Sequence, residues 1–146
     1  MAYMASCGAD CTTVDTAQLK WFKIAEEGLR PGYSVGEDDG WFQNDMWENR
    51  RTDRWDVVIP EGLKAGRYMV RHEIINLELD PVQLYPNCAQ VEVLGSGVEV
   101  PGEEFLVQFP GGYRLSDPGI AISGKVRGNK GVKNYTVPGP KVWRGN

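Results

Sequence analysis

The sequence contains no apolar run approaching the roughly 20 residues that a helix needs to cross a bilayer, so it predicts no membrane span. Basic residues are outnumbered, with 16 Lys and Arg against 20 Asp and Glu and a net charge of −4. This balance excludes a nucleic-acid-binding module, which needs a basic stripe to neutralise phosphates. Residues 1–7 also lack the basic start and apolar core of a signal peptide, and we expect none in this chain.

Cysteine is scarce, and its three residues are an odd number. Cys7 and Cys11 flank a turn-like Gly-Ala-Asp stretch, close enough for a local disulfide in an oxidising compartment. Cys88 then has no partner, which indicates an intermolecular pair, a buried free thiol or a partner lost with a missing segment. Alternatively, all three thiols are reduced in a cytosolic protein.

Turn-forming and aromatic residues are abundant: 18 Gly, 9 Pro, 5 Trp and 6 Tyr. With 41% hydrophobic residues and no long helical pattern, this composition is typical of short aromatic strands joined by turns. We find no internal repeat and no linker. The sequence therefore predicts a single domain over residues 1–146, of the all-β class, built as an antiparallel β-sandwich.

Alternating apolar and polar residues locate the strands. The pattern predicts strands at 18–24, 55–60, 67–77 and 90–94, a brief helical turn at 25–29 and a long surface loop at 30–54. The strand at 67–77 is the longest. It places the only histidine, His72, on one face with apolar residues, and Glu73 on the opposite face.

Several motifs occur in an order and spacing that resemble a known family. They are Cys11-Thr12-Thr13-Val14-Asp15, Leu19-Lys20-Trp21-Phe22-Lys23-Ile24, Arg71-His72-Glu73-Ile74-Ile75, Gln83-Leu84-Tyr85-Pro86-Asn87-Cys88, Phe109-Pro110-Gly111 with Tyr113, Asp117-Pro118-Gly119-Ile120, and Tyr135-Thr136-Val137-Pro138-Gly139-Pro140. Together they resemble the fungal lytic polysaccharide monooxygenases of auxiliary activity family nine, formerly glycoside hydrolase family sixty-one. The resemblance covers essentially the whole chain.

This resemblance implies an immunoglobulin- or fibronectin-like sandwich in a secreted enzyme that cleaves cellulose or a related β-glucan. The family holds one copper ion on a flat face. The ligands are the amino group and imidazole of an N-terminal histidine and the imidazole of a second histidine. Such nitrogen donors suit Cu(II), which reacts with an oxygen co-substrate after reduction and leads to attack on a C–H bond.

By motif, Tyr85 resembles the axial tyrosine of the copper site, and Gln83 and His72 resemble the glutamine and histidine beside it. Groups that surround a metal in this way typically contribute about 10–100-fold in activity or metal affinity. A different interpretation makes His72 a hydrogen-bonded histidine of a half-buried strand, Gln83 a loop residue and Tyr85 a packing residue.

The chain departs from the family because neither copper-binding histidine has a counterpart in it. We therefore expect it to be the C-terminal portion of the domain, a sandwich incomplete at its N-terminus, with no tight copper site and no activity alone. In the family the cysteine matching Cys88 pairs with one in the N-terminal part. Sheet edges left open by missing strands would favour self-association.

Sugar binding is the other function that the resemblance implies, through aromatic side chains that stack on glucose rings. Tyr135 and Trp143 are candidates near the C-terminus, as are Trp41, Phe42 and Trp47 in the long loop. For each, packing inside the protein is an equally good interpretation. The segment Asn134-Tyr135-Thr136 is also a glycosylation sequon.

Three functions thus compete. The first is oxidative cleavage of cellulose, and the second is a non-catalytic cellulose-associated β-module. The third is a hydrolytic endoglucanase, which needs two carboxyl groups about 5–9.5 Å apart across a cleft. Glu73, Glu78 and Asp80 are close in sequence, but nothing indicates that they converge, so hydrolysis ranks lowest.

Overall fold

A computed structural model describes residues 1–46 and 54–145. Within these residues the strands form one five-stranded sheet in the order β4-β3-β1-β2-β5, with every neighbouring pair antiparallel. The strands are β1 Ala2–Gly8, β2 Trp21–Ala25, β3 Gly66–Asn76, β4 Gln83–Val93 and β5 Leu106–Val107. Helices are short, comprising α1 Pro118–Ala121 and 3-10 segments at Thr16–Gln18, Asp38–Gly40, Phe42–Met46 and Glu103–Phe105. No helix in the described ranges has the length and apolar character of a membrane span.

The central strands β1 and β2 are buried on both faces. In β1, Tyr3, Met4 and Ala5 are all 0% exposed, although they point alternately to opposite sides of the sheet. A strand covered on both faces shows a continuous apolar run instead of alternation. For this reason the alternation pattern did not predict β1.

Two predicted strands are confirmed closely, at Trp21–Ala25 and Gly66–Asn76, and the one at 90–94 is the end of the longer β4. The predicted strand at 55–60 is wrong, since those residues form no strand. Trp55 and Val57 pack against the core, but within residues 1–46 and 54–145 no other segment forms a ladder with them. The helical turn at 25–29 is also wrong, because Leu29 instead forms an isolated bridge with Trp41.

The two faces of the sheet cover different cores. The face that carries Met4, Phe22 and His72, here named the histidine face, packs against Trp143 near the C-terminus. The opposite face, named the arginine face, carries Tyr3 and Arg71. It packs against the loop that holds Phe109 and Tyr113.

Candidate functional site

The strand pair β3–β4 brings the three predicted copper-site residues together on the histidine face. Cross-strand partners in an antiparallel pair point to the same side of the sheet. The register pairs His72 with Asn87, Ile74 with Tyr85, and Asn76 with Gln83. His72 and Tyr85 are therefore diagonal neighbours, a relation that places residues about 7–8 Å apart.

Tyr85 lies on the open surface, 53% exposed. Its hydroxyl donates a hydrogen bond to Oε1 of Gln83, two residues earlier on the same face. This bond directs the phenol proton toward Gln83, so the oxygen keeps lone-pair capacity for a further partner. The pair thus presents an oriented phenol beside a carboxamide whose NH₂ group can still donate.

His72 lies deeper than Tyr85. It is half-buried, and the Trp55 ring lies edge-to-face with its imidazole at a centroid distance of 6.2 Å. Burial lowers the pKa of His72 below its usual value of 6.5, because the charged imidazolium loses water contacts. At neutral pH the ring is therefore neutral, with one nitrogen able to donate and the other able to accept a hydrogen bond.

A groove of about 720 Å³ opens beside Tyr85. Its wall mixes apolar and aromatic groups with amide, carboxylate and guanidinium groups, a combination suited to the ring faces and hydroxyl edges of a sugar. The residues that set this character are Trp41, Ile74 and Tyr85, together with Asp38, Asn76 and Arg127.

The donor set of a histidine-ligated copper site does not fit these residues. The 146 residues contain one histidine, whereas such a site uses two imidazoles. Within residues 1–46 and 54–145 no group of three or more His, Cys, Asp or Glu side chains could hold a metal ion. Tyr85 and His72 together supply one phenol and one imidazole, which is one imidazole fewer than such a copper site uses.

The aromatic residues considered for sugar stacking are mostly enclosed. Trp143 is 1% exposed and packs edge-to-face on Phe22 at 5.5 Å. Tyr135 is half-buried, lies 5.0 Å from the Trp41 ring and donates its hydroxyl proton to the Gly119 carbonyl. Packing is thus the role that these positions favour.

Of the remaining aromatic candidates, Phe42 is half-buried with its ring 5.7 Å from that of Trp55. Trp47 lies outside the described residues. Asn134, in the sequon, is exposed. Its position is therefore accessible to a glycosylating enzyme.

The cysteines divide as the spacing predicted. Cys7 and Cys11 form a disulfide at the end of β1. Cys88 is a free thiol at the middle of β4 and is exposed. Its exposure rules out the interpretation that it is a buried free thiol.

Sequence reasoning did not find a buried polar network on the arginine face. Glu73, 1% exposed, pairs with Arg71 and accepts the hydroxyl proton of Tyr113. The Tyr113 and Tyr3 hydroxyls are 2.9 Å apart. Tyr113 belongs to the motif that begins at Phe109, but only the fold shows that this loop reaches β1 and β3.

A second buried cation lies beside the network. Lys23 is 0% exposed; its Nζ donates to Glu26 at 2.6 Å and to the Pro138 carbonyl at 2.8 Å.

The pairing of Glu73 with Arg71 also bears on the hydrolytic interpretation. That carboxylate is enclosed on the face opposite His72, while Glu78 and Asp80 are exposed.

Comparisons with known proteins agree with the resemblance. A model of Auxiliary Activity family 9, formerly GH61, matches residues 1–135. The AA9 family lytic polysaccharide monooxygenase B of Heterobasidion irregulare strain TC 32-1 is 40% identical over 146 residues. That match covers 99% of this chain and 57% of the relative, so the chain spans little more than half the relative's length.

Two crystal structures show the same likeness. HiLPMO9B superposes with a TM-score of 0.87 at 40% identity, covering 99% of this chain and 62% of that one. A cellulose-active polysaccharide monooxygenase from M. thermophila gives 0.83 at 32% identity, covering 99% and 64%. The mostly antiparallel sheet and few helices match this fold, which confirms the predicted immunoglobulin-like β-sandwich class.

Proposed function

Because the chain belongs to Auxiliary Activity family 9, we propose that its function is the copper-dependent oxidative cleavage of cellulose, with residues 1–146 forming one domain. The observation that carries the proposal is the exposed Tyr85–Gln83 pair on the same sheet face as His72. A phenol, an amide and a neutral imidazole on one accessible face are the groups that the family motif places beside its metal.

In this proposal Tyr85 would contribute its phenol oxygen to a copper site, Gln83 accepts the hydrogen bond that orients that hydroxyl, and His72 could hold or release a proton on the same face. Copper supplies the redox chemistry when it is bound. The residues of this chain do not complete its ligand set, since they include a single imidazole. We therefore propose that the 146 residues alone bind no Cu(II) tightly and are inactive alone.

The groove beside Tyr85 supports a β-glucan substrate. Trp41 and Tyr85 give it aromatic surface, while Asp38, Asn76 and Arg127 can exchange hydrogen bonds with sugar hydroxyls. The M. thermophila structure with the same fold is described as cellulose-active. Cellulose is accordingly the substrate proposed for this family member.

An extracellular location and a second partner complete the proposal. The Cys7–Cys11 disulfide is expected in an oxidising compartment, and Asn134 is an accessible acceptor for glycosylation there. The exposed edge strand β4 supports self-association with a second copy of the chain.

Copper binding can be measured by calorimetric titration of the purified chain with Cu(II), followed by electron paramagnetic resonance of the product. We expect no tight site, and weak signals unchanged by His72→Ala. One tight site with a tetragonal, nitrogen-rich spectrum would overturn the ligand argument. If that spectrum were lost in His72→Ala, the imidazole would be a ligand in its own right.

The reaction class is tested with cellulose, ascorbate and the chain, with products read by mass spectrometry. We expect no oxidised oligosaccharides above a control with free copper. Release of native, unoxidised sugars would overturn the oxidative proposal in favour of hydrolysis. Retention on cellulose that resists metal chelation, together with no product, is the result expected of the alternative, a non-catalytic cellulose-associated module.

A further inference from the structure

Charge is distributed unevenly along the chain. All 20 acidic residues precede residue 118, whereas residues 118–146 contain six lysines and arginines and no acid. Four of these six cations lie within residues 124–133, here named the basic loop: Lys125, Arg127, Lys130 and Lys133. All four are exposed. The basic loop is therefore a concentrated positive surface on a protein whose net charge is −4.

Hydrogen bonds of one side chain hold the backbone of the basic loop in its conformation. The Asn129 carboxamide oxygen accepts the N–H groups of Gly131 and Val132 at 3.1 and 3.2 Å. The Asn129 amide nitrogen donates to the Lys125 carbonyl at 3.0 Å. A charged segment that is already ordered loses little conformational freedom when it binds a ligand. This order distinguishes the basic loop from a solvated run of charges with no fixed conformation.

The basic loop is also fixed to the segment that begins at Val35. The Val35 N–H donates to the Val132 carbonyl at 2.8 Å. The Gly36 N–H donates to the Asn129 carbonyl at 2.9 Å. Val126, which is 6% exposed, packs in a small core with Val35. Because this apolar side chain is held inside, the loop has a defined orientation, and its cations lie on the outer side.

Little of the positive charge on the basic loop is neutralised by nearby acids. Within the described residues, the side chains of Arg127, Lys130 and Lys133 form no hydrogen bond or salt bridge. The Glu37 carboxylate is close enough to feel both lysines, but it accepts the N–H and hydroxyl protons of Ser34 at 2.7 and 2.6 Å. The pKa of Glu37 is lowered chiefly by these Ser34 hydrogen bonds, and the lysine charges contribute least. The loop therefore keeps a net positive charge.

The basic loop adjoins the groove that is proposed to take the polysaccharide. Arg127 lies on the wall of that groove, as do Trp41 and Tyr85. Two acids, Asp38 and Glu78, lie on the same wall, so the groove itself is not strongly positive. The wall suits neutral sugar rings, whereas the loop beside it suits an acidic side group.

We propose that the basic loop binds the carboxylates of an acidic β-linked polysaccharide, one that carries uronic acid groups; the choice of a polysaccharide rests on the proposed function. An arginine can hold a carboxylate through two parallel hydrogen bonds, and lysines add point charges beside it. Neutral cellulose offers no anion to this surface. The loop therefore adds a preference for acidic chains to whatever affinity the groove has for sugar rings.

Isothermal titration calorimetry on the purified chain tests this preference. The probes are a soluble xylan bearing glucuronic acid and the same xylan after its carboxyl groups have been reduced to alcohols. We expect the acidic form to bind more tightly. We also expect this difference to shrink when the ionic strength is raised from about 0.01 to about 0.15 M, because the Debye length falls from about 30 to about 8 Å. Equal affinity for the two forms at low salt would overturn the preference.

This measurement reads binding and not oxidation, so it separates the two proposals. A chain that prefers the acidic xylan and gives no oxidised sugars still supports the role of the basic loop. Oxidised sugars together with equal affinity for the two xylans would support the proposed function and overturn the role of the loop.

Matched double variants separate the charge of the basic loop from the charge of the whole protein. Arg127→Glu with Lys130→Glu should weaken binding of the acidic xylan about tenfold, because each exposed ion pair contributes a factor of about 1.5–5. Lys20→Glu with Lys64→Glu makes the same change in net charge at exposed positions near the other end of the sheet, and should bind like the parent chain. Equal losses in the two double variants would show that net charge alone attracts the polymer, and would overturn the assignment to the loop.

The order of the basic loop is tested without changing its charge. Asn129→Ala removes the three side-chain hydrogen bonds that hold the loop. We expect weaker binding of the acidic xylan and a less favourable binding entropy in the same calorimetry, because the loop must then become ordered on binding. Unchanged affinity and entropy would contradict the role of the preformed loop.

Discussion

Adjacent residues on β3 have different surroundings because successive side chains point to opposite faces. His72 lies on the histidine face, half-buried against Trp55, while Glu73 is enclosed on the arginine face with Arg71. His72 therefore lies on the face of the sheet on which the groove opens beside Tyr85. Glu73 is already bound by Arg71 and Tyr113 inside the protein, so we assign it a structural role and no catalytic one.

The titration of His72 can be followed without assignment, since the chain has one histidine. We expect a midpoint below 6.5 in the folded protein, because burial lowers the pKa of the imidazole. Nuclear magnetic resonance of the ring carbons measures it directly. The same chain in urea provides the control, with a midpoint near the usual value, and Trp55→Ala should move the folded midpoint upward. A folded midpoint at or above 6.5 would contradict the burial argument.

The hydroxyl of Tyr113 connects Glu73 and Tyr3, so its removal should weaken the fold. Tyr113→Phe leaves one buried carboxylate oxygen without this donor, and we expect a loss of about 1–3 kcal/mol in the free energy of unfolding. Urea denaturation measures the change. Tyr33→Phe, at a tyrosine that is 37% exposed, is the matched control and should lie near zero. Equal effects of the two variants would show that the network adds nothing.

How far the sequence predicts each strand depends on how that strand is covered. β3 was found because its polar and apolar residues alternate, whereas β1, buried on both faces, shows no alternation. Residues 55–60 have the apolar run of a strand that ends at Pro60, but within the described residues no strand lies beside them. Local sequence does not contain that information, because it depends on the tertiary fold. The pairing of His72 with Asn87, and hence the site's geometry, depends on register and could not be read from the chain.

The segment near the C-terminus is held to β2 by one residue in particular. Trp143 is 1% exposed, its backbone N–H donates to the Lys23 carbonyl at 2.8 Å, and its ring packs on Phe22. Trp143→Ala should cost about 3–5 kcal/mol in unfolding free energy because it leaves a large cavity. Leu115→Ala, at a residue that is 79% exposed, should cost little under the same denaturation. A small loss at Trp143 would mean that the segment does not contribute to the core.

The candidate site was predicted as a set of residues through motif resemblance, and the fold supplied their arrangement. Tyr85 and Gln83 share a surface hydrogen bond, while Tyr135 and Trp143 are taken up in packing. The reason is that stacking on a sugar and packing on a neighbouring ring use the same apolar side chains. Only burial distinguishes the two roles, and burial is a property of the whole molecule.

Stability at alkaline pH is a further property of the whole fold. Burial raises the pKa of Tyr3, Tyr113 and Tyr135 above 10.0, so above pH 10 the unfolded chain releases phenol protons that the folded chain retains. The folded state then binds more protons, and the free energy of unfolding falls as pH rises, by about 1.4 kcal/mol per pH unit for each proton. Below pH 10 this contribution is fully present.

Lys23 acts in the opposite direction. Burial lowers its pKa from 10.5, so up to that pH the unfolded chain binds the extra proton and stability rises. Because Lys23 contributes equally to both proteins, comparing the parent chain with Tyr113→Phe by urea denaturation between pH 10.5 and 12 isolates the contribution of Tyr113. We expect a steep loss in the parent chain and a shallower one in Tyr113→Phe, by about one proton's slope. Parallel slopes in the two proteins would mean that Tyr113 ionises as readily in the folded chain as in the unfolded one.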